Sequence, residues 1–230
     1  GFATEPTGEC IIVDGDTGGR PEQVYYTVRT LERLGISALV LEDKQGPKRN
    51  SLYGPQENKE LTSISDFCAK LEMAKHARLT DDFLVVARLE SLIVGLGLTD
   101  ALQRAFAYTE AGADALVIHS HDADPEQIMT FARDYRAAYR KQAALPLIAI
   151  PTAYPQVYES ELIDAGFQMV IYANQLLRAA WPAMKAVAES ILSHGRSLES
   201  EPQMLSVADV LALIPTPTSE SMRRPISERD

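Results

Sequence analysis

The sequence has few features of a secreted or membrane protein. It contains only two cysteines, Cys10 and Cys68, and no CxxC pair, so we expect neither a disulfide framework nor a cysteine-ligated zinc site. No apolar run is long enough for a membrane-spanning helix, and no stretch has a secretory signal pattern. We therefore predict a cytoplasmic protein that does not act at a membrane.

Positive charge is also scarce. The chain has 22 lysines and arginines against 32 aspartates and glutamates, a formal net charge of −10, and no basic run. Nucleic-acid-binding surfaces need clustered basic side chains, so we do not expect a nucleic acid as partner. A small anionic substrate would need local arginine, lysine or a metal ion to offset this negative charge.

Short apolar runs alternate with amphipathic helical patterns along the chain. The runs are rich in Val, Ile and Leu without a two-residue alternation, which is typical of strands buried on both faces of a parallel sheet. Gly35, Gly112 and Gly166 follow three of the helices, where a left-handed residue ends a helix. We predict strands at 10–14, 38–43, 83–88, 115–120, 147–152 and 169–174, and helices at 21–34, 62–77, 99–111, 125–141, 156–165, 176–193 and 206–214. The repeated βα units indicate a parallel α/β fold, either a barrel or an open sheet.

We predict one domain over residues 1–214, because no break in composition occurs before about 195. One connection, 43–61, is long, polar and rich in Pro and Gly, which is typical of an active-site lid or of disorder. The polar segment 215–230 is predicted to be a disordered tail.

Polar side chains recur at the C-terminal ends of the predicted strands, where barrel enzymes place their active sites. An aspartate after a strand is often only a helix N-cap. Arg88 and Glu90 could form a structural ion pair, and His119 could be a buried core histidine. The residues alone leave these alternatives open. The strand-end residues are Asp14, Asp16, Glu42, Asp43, Lys44, Arg88, Glu90, His119, Ser120, His121, Thr152, Tyr154 and Asn174.

Three of these carboxylates indicate a metal site. Asp14, Asp16 and Glu42 would supply oxygen ligands from adjacent strands, which suits a hard cation such as Mg²⁺. The glycines of the turn at 15–19 would let the backbone pass close to the ion. The alternative is a tight turn with capping aspartates. Arg88 offers a planar fork for a carboxylate or phosphoryl group.

Six stretches around the strand ends form a specific pattern: VDGDTGG (13–19), LEDKQGPKRNSL (41–52), ARLESLIVGLG (87–97), EAGADALVIHS (110–120), IPTAYP (150–155) and VIYANQLLRAA (170–180). Together they resemble the phosphoenolpyruvate mutase branch of the isocitrate lyase superfamily. The resemblance implies an eight-stranded (β/α) TIM-type barrel that binds Mg²⁺. Only six strands are predicted here, so we expect that two βα units belonging before Cys10 are absent from this chain.

The resemblance also implies roles for individual residues. Asp14 would bind the metal directly, whereas Asp16 and Glu42 would hold it largely through water. The loop 43–61 would be a gate that closes on the substrate and excludes water. The residues implied to bind the substrate or act in catalysis are Lys48, Asn50, Ser51, Arg88 and His119. Of these, Lys48 and Asn50 would reach the phosphoryl group.

The resemblance favours one reaction over its neighbours. The Cys-Gly-His motif that the superfamily's C–C lyases carry in the gate is absent here. Mutases of this branch have asparagine where Asn50 stands, whereas the related phosphonopyruvate hydrolases have threonine. We therefore predict a phosphoenolpyruvate mutase, with the hydrolase as the alternative because 152–155 is similar to both, and a non-catalytic binding barrel as a third. A homodimer or homotetramer is implied.

Overall fold

The structure is a computed structural model that describes residues 10–46, 51, 61–139 and 144–213. Strands and helices alternate along this part of the chain, as predicted. The strands are β1 (Ile12–Asp14), β2 (Ala38–Glu42), β3 (Leu84–Leu89), β4 (Ala115–Ile118), β5 (Leu147–Ala149) and β6 (Met169–Val170). The helices are α1 (Pro21–Arg33), α2 (Ile64–Ala77), α3 (Gly97–Glu110), α4 (Glu126–Ala138), α5 (Glu159–Ala165), α6 (Gln175–His194) and α7 (Val207–Leu213), and a 3-10 helix covers Leu198–Gln203.

The six strands form one parallel sheet in which each strand pairs with the next along the chain. Consecutive parallel strands joined by helices are the arrangement of a TIM-type barrel. The predicted fold class is therefore confirmed as an α/β fold, with six parallel strands of a partial barrel. The expectation of two further βα units before β1 stays a prediction.

Alternate residues of the strands enter two separate cores. Leu39 and Leu41 of β2 face the main core between the sheet and the helices. Ala38 and Val40 of the same strand enter a smaller apolar cluster with residues such as Val86 of β3. Because every residue of β2 is buried, this strand reads as a continuous apolar run, as parallel strands covered on both faces do.

Glycines end the helices where the sequence predicts. Gly35, Gly112 and Gly166 have φ values of 80°, 91° and 113°, so all three occupy the left-handed region. The strand boundaries were predicted less well, since the predicted runs at 115–120, 147–152 and 169–174 extend beyond the strands. Their last residues, among them His119, lie beyond the strand ends at the carboxyl edge.

The described residues fall into two compact units, 10–173 and 174–213. The predicted single domain over 1–214 stays a prediction, and the tail 215–230 lies outside the described residues.

In the second unit, α6 has no buried residue. Its exposed apolar side chains include those of Leu176, Leu177, Trp181, Met184 and Leu192. The predicted homodimer or homotetramer likewise stays a prediction. Among the described helices, none has the length and apolar character needed to cross a membrane.

Candidate active site

A cluster of charged side chains lies at the carboxyl edge of β1 to β4. The register pairs Glu42 at the end of β2 with Arg88 of β3. Asp14 ends β1, and His119 follows β4 directly. Because the strands are parallel and in consecutive order, residues far apart in sequence meet at this edge.

The guanidinium of Arg88 lies at the centre of this group. Its Nε donates to Glu90 Oε1 at 2.6 Å, and its Nη2 donates to Ser51 Oγ at 3.0 Å. Two further carboxylates lie near the same group: Asp14 Oδ2 is 3.5 Å from Nη1, and Glu42 Oε2 is 3.7 Å from Nη2. The structure thus brings Arg88, Asp14, Glu42 and Ser51 together at this edge.

Glu90 is a strand-end residue to which the sequence assigned no role beyond a structural ion pair with Arg88. Its carboxylate is fully buried and accepts from Arg88 at Oε1 and from Ser51 Oγ at Oε2, the latter at 2.7 Å. Burial by itself would raise the pKa of Glu90, but His119, Arg88 and Lys44 outweigh burial and hold the pKa well below its usual range. The two-residue spacing from Arg88 was an available signal, because it places both side chains on one face of the extended chain.

Lys44 is a second site residue that sequence reasoning did not assign. Its ammonium lies 3.1 Å from Glu90 Oε2 and hydrogen-bonds to Ser51 Oγ. Lys44 also pairs with Leu61 in an isolated antiparallel bridge. The ends of the predicted gate 43–61 are therefore joined at the edge of the site. The predicted site residues Lys48 and Asn50, and most of this loop, lie outside the described residues.

His119 completes the buried cluster. Its Nδ1 is 3.0 Å from Arg88 Nη2 and 3.1 Å from Glu90 Oε1, so the tautomer decides whether this nitrogen accepts from Arg88 or donates to Glu90. Burial lowers the pKa of the ring, although the hydrogen bond and charge of Glu90 act in the opposite direction. The lowered pKa favours the neutral ring at pH 7.

The lowered pKa of His119 predicts a pH dependence of stability. The unfolded chain protonates this ring below about pH 6.5, whereas the folded protein does not until the pH falls to the lowered pKa. As the pH is lowered through this window, the free energy of unfolding should therefore fall, by at most about 1.4 kcal/mol per pH unit. Urea unfolding at several pH values between 7 and 5 measures the slope.

His119→Gln is expected to remove this part of the slope, because glutamine does not titrate. His121→Gln, a change at an exposed histidine two residues further on, is the matched control and should leave the slope as in the wild type. Equal slopes for His119→Gln and the wild type would contradict a neutral, buried His119.

The three predicted metal ligands lie near the same edge. Asp16 has a positive φ of 53°, its N–H donates to Asp14 Oδ1 at 3.0 Å, and its carbonyl accepts the Glu42 N–H at 2.8 Å. Within the described ranges, no group of three or more His, Cys, Asp or Glu side chains is arranged to hold a metal ion. Two of the carboxylates, Asp14 and Glu42, instead contact the guanidinium of Arg88. The assignment of all three as Mg²⁺ ligands stays a prediction.

Glu42 nevertheless fits a hydrated cation. Its Oε1 is buried and has no hydrogen-bond partner among the described residues. Burial raises the pKa of this carboxyl, although Arg88 and Lys44 counteract that effect. A buried oxygen without a donor is costly, and a water molecule held on a cation would supply that donor. Carboxylate oxygens are also the ligands that Mg²⁺ prefers.

The glycines of the turn after β1 serve packing. A Cβ on Gly18, where φ is 69°, would lie 2.8 Å from both Leu41 Cδ2 and Val24 Cγ2. Gly18→Ala is therefore expected to lower the free energy of unfolding by about 1–3 kcal/mol. Gly35→Ala is the matched control, because φ is also left-handed there but no atom lies within 4 Å of the added carbon. Equal losses in the two variants would refute the packing role of Gly18.

Parallel strands in consecutive order, with a charged cluster at their carboxyl edge, are the arrangement found in (β/α) barrel enzymes. A profile of the phosphoenolpyruvate phosphomutase family matches residues 4–192. The chain belongs to this family, which is part of the phosphoenolpyruvate mutase/isocitrate lyase superfamily.

Relatives of this chain carry several different activities, namely phosphomutase, hydrolase and lyase. Phosphonopyruvate hydrolase of Variovorax sp. (strain Pal2) is 39% identical over 205 residues, which are 88% of this chain and 68% of the relative. The crystal structure of phosphoenolpyruvate phosphomutase from Streptomyces platensis subsp. rosaceus superposes with a TM-score of 0.81 at 38% identity, covering 89% of this chain and 69% of that one. A phosphonopyruvate hydrolase in complex with oxalate and Mg²⁺ superposes with a TM-score of 0.76 at 38% identity, covering 89% and 68%.

Proposed function

We propose that this protein is a Mg²⁺-dependent phosphoenolpyruvate mutase, which interconverts phosphoenolpyruvate and phosphonopyruvate. The observation that carries the proposal is the buried cluster around Arg88, in which Ser51, Glu90 and His119 hold the guanidinium at the carboxyl edge. Such a site provides fixed donors for an anionic substrate, and phosphoryl transfer depends mainly on positioning and electrostatic stabilisation.

The charges of the cluster favour an anionic substrate that binds together with a cation. Glu90 offsets Arg88, and the two carboxylates Asp14 and Glu42 outnumber the one remaining cation of the cluster, Lys44. A substrate with a carboxylate and a phosphoryl group would be repelled unless more positive charge were present. Mg²⁺ held by Asp14, Asp16 and Glu42 would supply that charge and stabilise the enolate. The related hydrolase crystallised with oxalate and Mg²⁺ supports this proposal.

The chain's own residues have distinct tasks in the proposed reaction. Arg88 would orient the substrate, because Glu90 fixes its Nε while its Nη atoms face Asp14 and Ser51. A neutral His119 whose Nδ1 accepts from Arg88 would donate a hydrogen bond from Nε2 to the substrate without adding charge. The phosphoryl group leaves the enol oxygen and is recaptured by C3. Lys48 and Asn50 would steady this group during its transfer and keep water from intercepting it.

The sequence supports a mutase more than a lyase or a hydrolase. No cysteine occurs between Cys10 and Cys68, so the gate lacks the thiol of the superfamily's C–C lyases. Asn50 matches the asparagine of mutases at the gate position. Hydrolysis of phosphonopyruvate to pyruvate and phosphate is the second candidate. The 39% identity to a hydrolase and the stretch 152–155 favour it.

Phosphorus NMR distinguishes the two reactions. The protein is incubated with phosphonopyruvate and Mg²⁺, and the phosphonate, enol-phosphate and free-phosphate signals are followed over time. We expect the phosphonate signal to be replaced by that of phosphoenolpyruvate. Inorganic phosphate formed together with pyruvate would establish the hydrolase instead. No change in the spectrum, with the protein folded, would overturn both assignments in favour of a lyase or a non-catalytic barrel.

A further inference from the structure

A second buried charged cluster lies behind the candidate active site and has no part in the proposed reaction. Asp43, directly after β2, and Tyr108, on α3, are both fully buried, and Arg104 is 6% exposed. Asp43 Oδ2 accepts from Tyr108 OH at 2.8 Å and from Arg104 Nη1 at 3.2 Å. Arg104 Nη1 also lies within hydrogen-bonding distance of Tyr108 OH, at 2.9 Å.

Asp43 is bound to the backbone of the strand that carries Arg88. Its N–H donates to the Arg88 carbonyl at 3.2 Å, and its Oδ1 accepts the Glu90 N–H at 3.0 Å. The regular pairing of β2 with β3 ends at Glu42 and Arg88. Asp43 therefore extends the contact between the two strands past their ends. It does so by binding the backbone of Glu90, whose carboxylate contacts Arg88 and His119.

Helix α3 fixes this arrangement from the other side. Arg104 Nε donates to Asp100 Oδ1 at 2.8 Å, and Ser91 Oγ donates to the same oxygen at 2.7 Å. Arg104 Nη1 also donates to the Thr62 carbonyl at 2.9 Å. Asp43 thus binds the backbone N–H of Glu90, and Asp100 binds the hydroxyl of the next residue, Ser91.

Stability alone does not account for a charged pair at this position. Removing two charges from water is costly, and apolar residues of the same volume commonly stabilise a core at least as well as a buried ion pair. Burial raises the pKa of Asp43 to about 6, although Arg104 and Tyr108 lower it. What an apolar pair could not provide is a directional acceptor for the Glu90 N–H.

We propose that Asp43, Arg104 and Tyr108 are positioning residues, which hold the Glu90 backbone and thereby set the orientation of Arg88 and His119. The expected effect on turnover rests on the proposed function, whereas the effect on the His119 ring does not. The cluster touches neither the substrate nor its reacting atoms in this account. It acts through the Glu90 carboxylate.

Tyr108→Phe and Tyr135→Phe form a matched pair of variants for the test. Each removes one hydroxyl from a fully buried tyrosine. The hydroxyl of Tyr135 on α4 contacts Thr109 Oγ1 at 2.9 Å and the Leu145 N–H at 3.2 Å, which are not part of the cluster. Both variants should lose similar stability, but only Tyr108→Phe disturbs Asp43. Asp43→Asn, which removes the charge, is the stronger variant.

Long-range ¹H–¹⁵N NMR of ¹⁵N-histidine-labelled protein reports the tautomer and surroundings of each ring. The chain has four histidines, and His119→Gln identifies the signal of interest. We expect the His119 signal to move in Tyr108→Phe and Asp43→Asn and to stay in place in Tyr135→Phe. In the phosphonopyruvate assay, kcat/KM should fall about tenfold in Asp43→Asn, and Tyr135→Phe should stay within about twofold of the wild type.

The proposal would be overturned if the His119 signal were the same in Tyr108→Phe as in the wild type. It would also be overturned if Tyr135→Phe moved that signal by as much, because the change would then reflect a general loss of packing. A wild-type protein without turnover would defeat the proposed function only, since the NMR comparison needs no substrate and still decides the positioning role.

Discussion

Replacing Arg88 by lysine is expected to lower kcat/KM for phosphonopyruvate by about a thousandfold. Arg88 contacts Glu90, Ser51 and His119 from one planar group. A lysine ammonium cannot make the same forked contacts, so the buried Glu90 carboxylate would lose its closest charged partner. Steady-state kinetics with saturating Mg²⁺ measures the effect.

The matched control is Arg133→Lys, the same change at an arginine whose side chain is 56% exposed and paired with Glu126. Exposed ion pairs contribute little to stability, so this variant should retain wild-type activity. Circular dichroism and urea unfolding establish that Arg88→Lys is folded under the assay conditions. Activity within about tenfold of the wild type in folded Arg88→Lys would remove Arg88 from the centre of the site.

Replacing Asp14 by alanine is expected to abolish Mg²⁺-dependent turnover, a loss of at least about a hundredfold. The carboxylate is 45% exposed at the edge of the site, and it lies 3.5 Å from Arg88 Nη1. The variant should still fold, because the removed side chain is half-exposed and Arg88 keeps its ion pairs with Glu42 and Glu90. Activity is measured over a series of Mg²⁺ concentrations, and Mg²⁺ binding is measured separately by calorimetry.

Asp81→Ala is the control for this change, because the Asp81 side chain is fully exposed and pairs only with Arg78 among the described residues. It should bind Mg²⁺ and turn over substrate as the wild type does. Full activity of Asp14→Ala in the presence of Mg²⁺ would refute the metal assignment. Unchanged Mg²⁺ binding together with lost activity would show that Asp14 orients Arg88 and does not bind the metal.

Much of the fold could be predicted from local patterns. Apolar runs without alternation identified the buried parallel strands, and the glycines at 35, 112 and 166 identified three helix ends. Both signals are local, because burial on two faces and a left-handed backbone each constrain the residue type at one position. The strand ends were less predictable, since the point at which a chain leaves a ladder depends on its neighbours.

The candidate site could be predicted in part. Parallel strands in consecutive order bring their carboxyl ends to one edge, so Asp14, Glu42, Arg88 and His119 were expected to meet there, and they do. The contacts within the group were not predictable in the same way. Ser51 bonds to Glu90 across 39 positions of sequence, and no periodicity reports a partner at that distance.

By itself, the sequence determined the order of strands and helices, the edge at which the polar residues gather, and the family to which the chain is similar. Only the tertiary structure decided that Lys44 and Ser51 both bind Glu90, and that Asp43 is held by Arg104, 61 positions away. The physical reason is that a sequence pattern reports which face of an element is buried. Which side chains meet across that face depends on the register of the strands and on the helix that packs behind them.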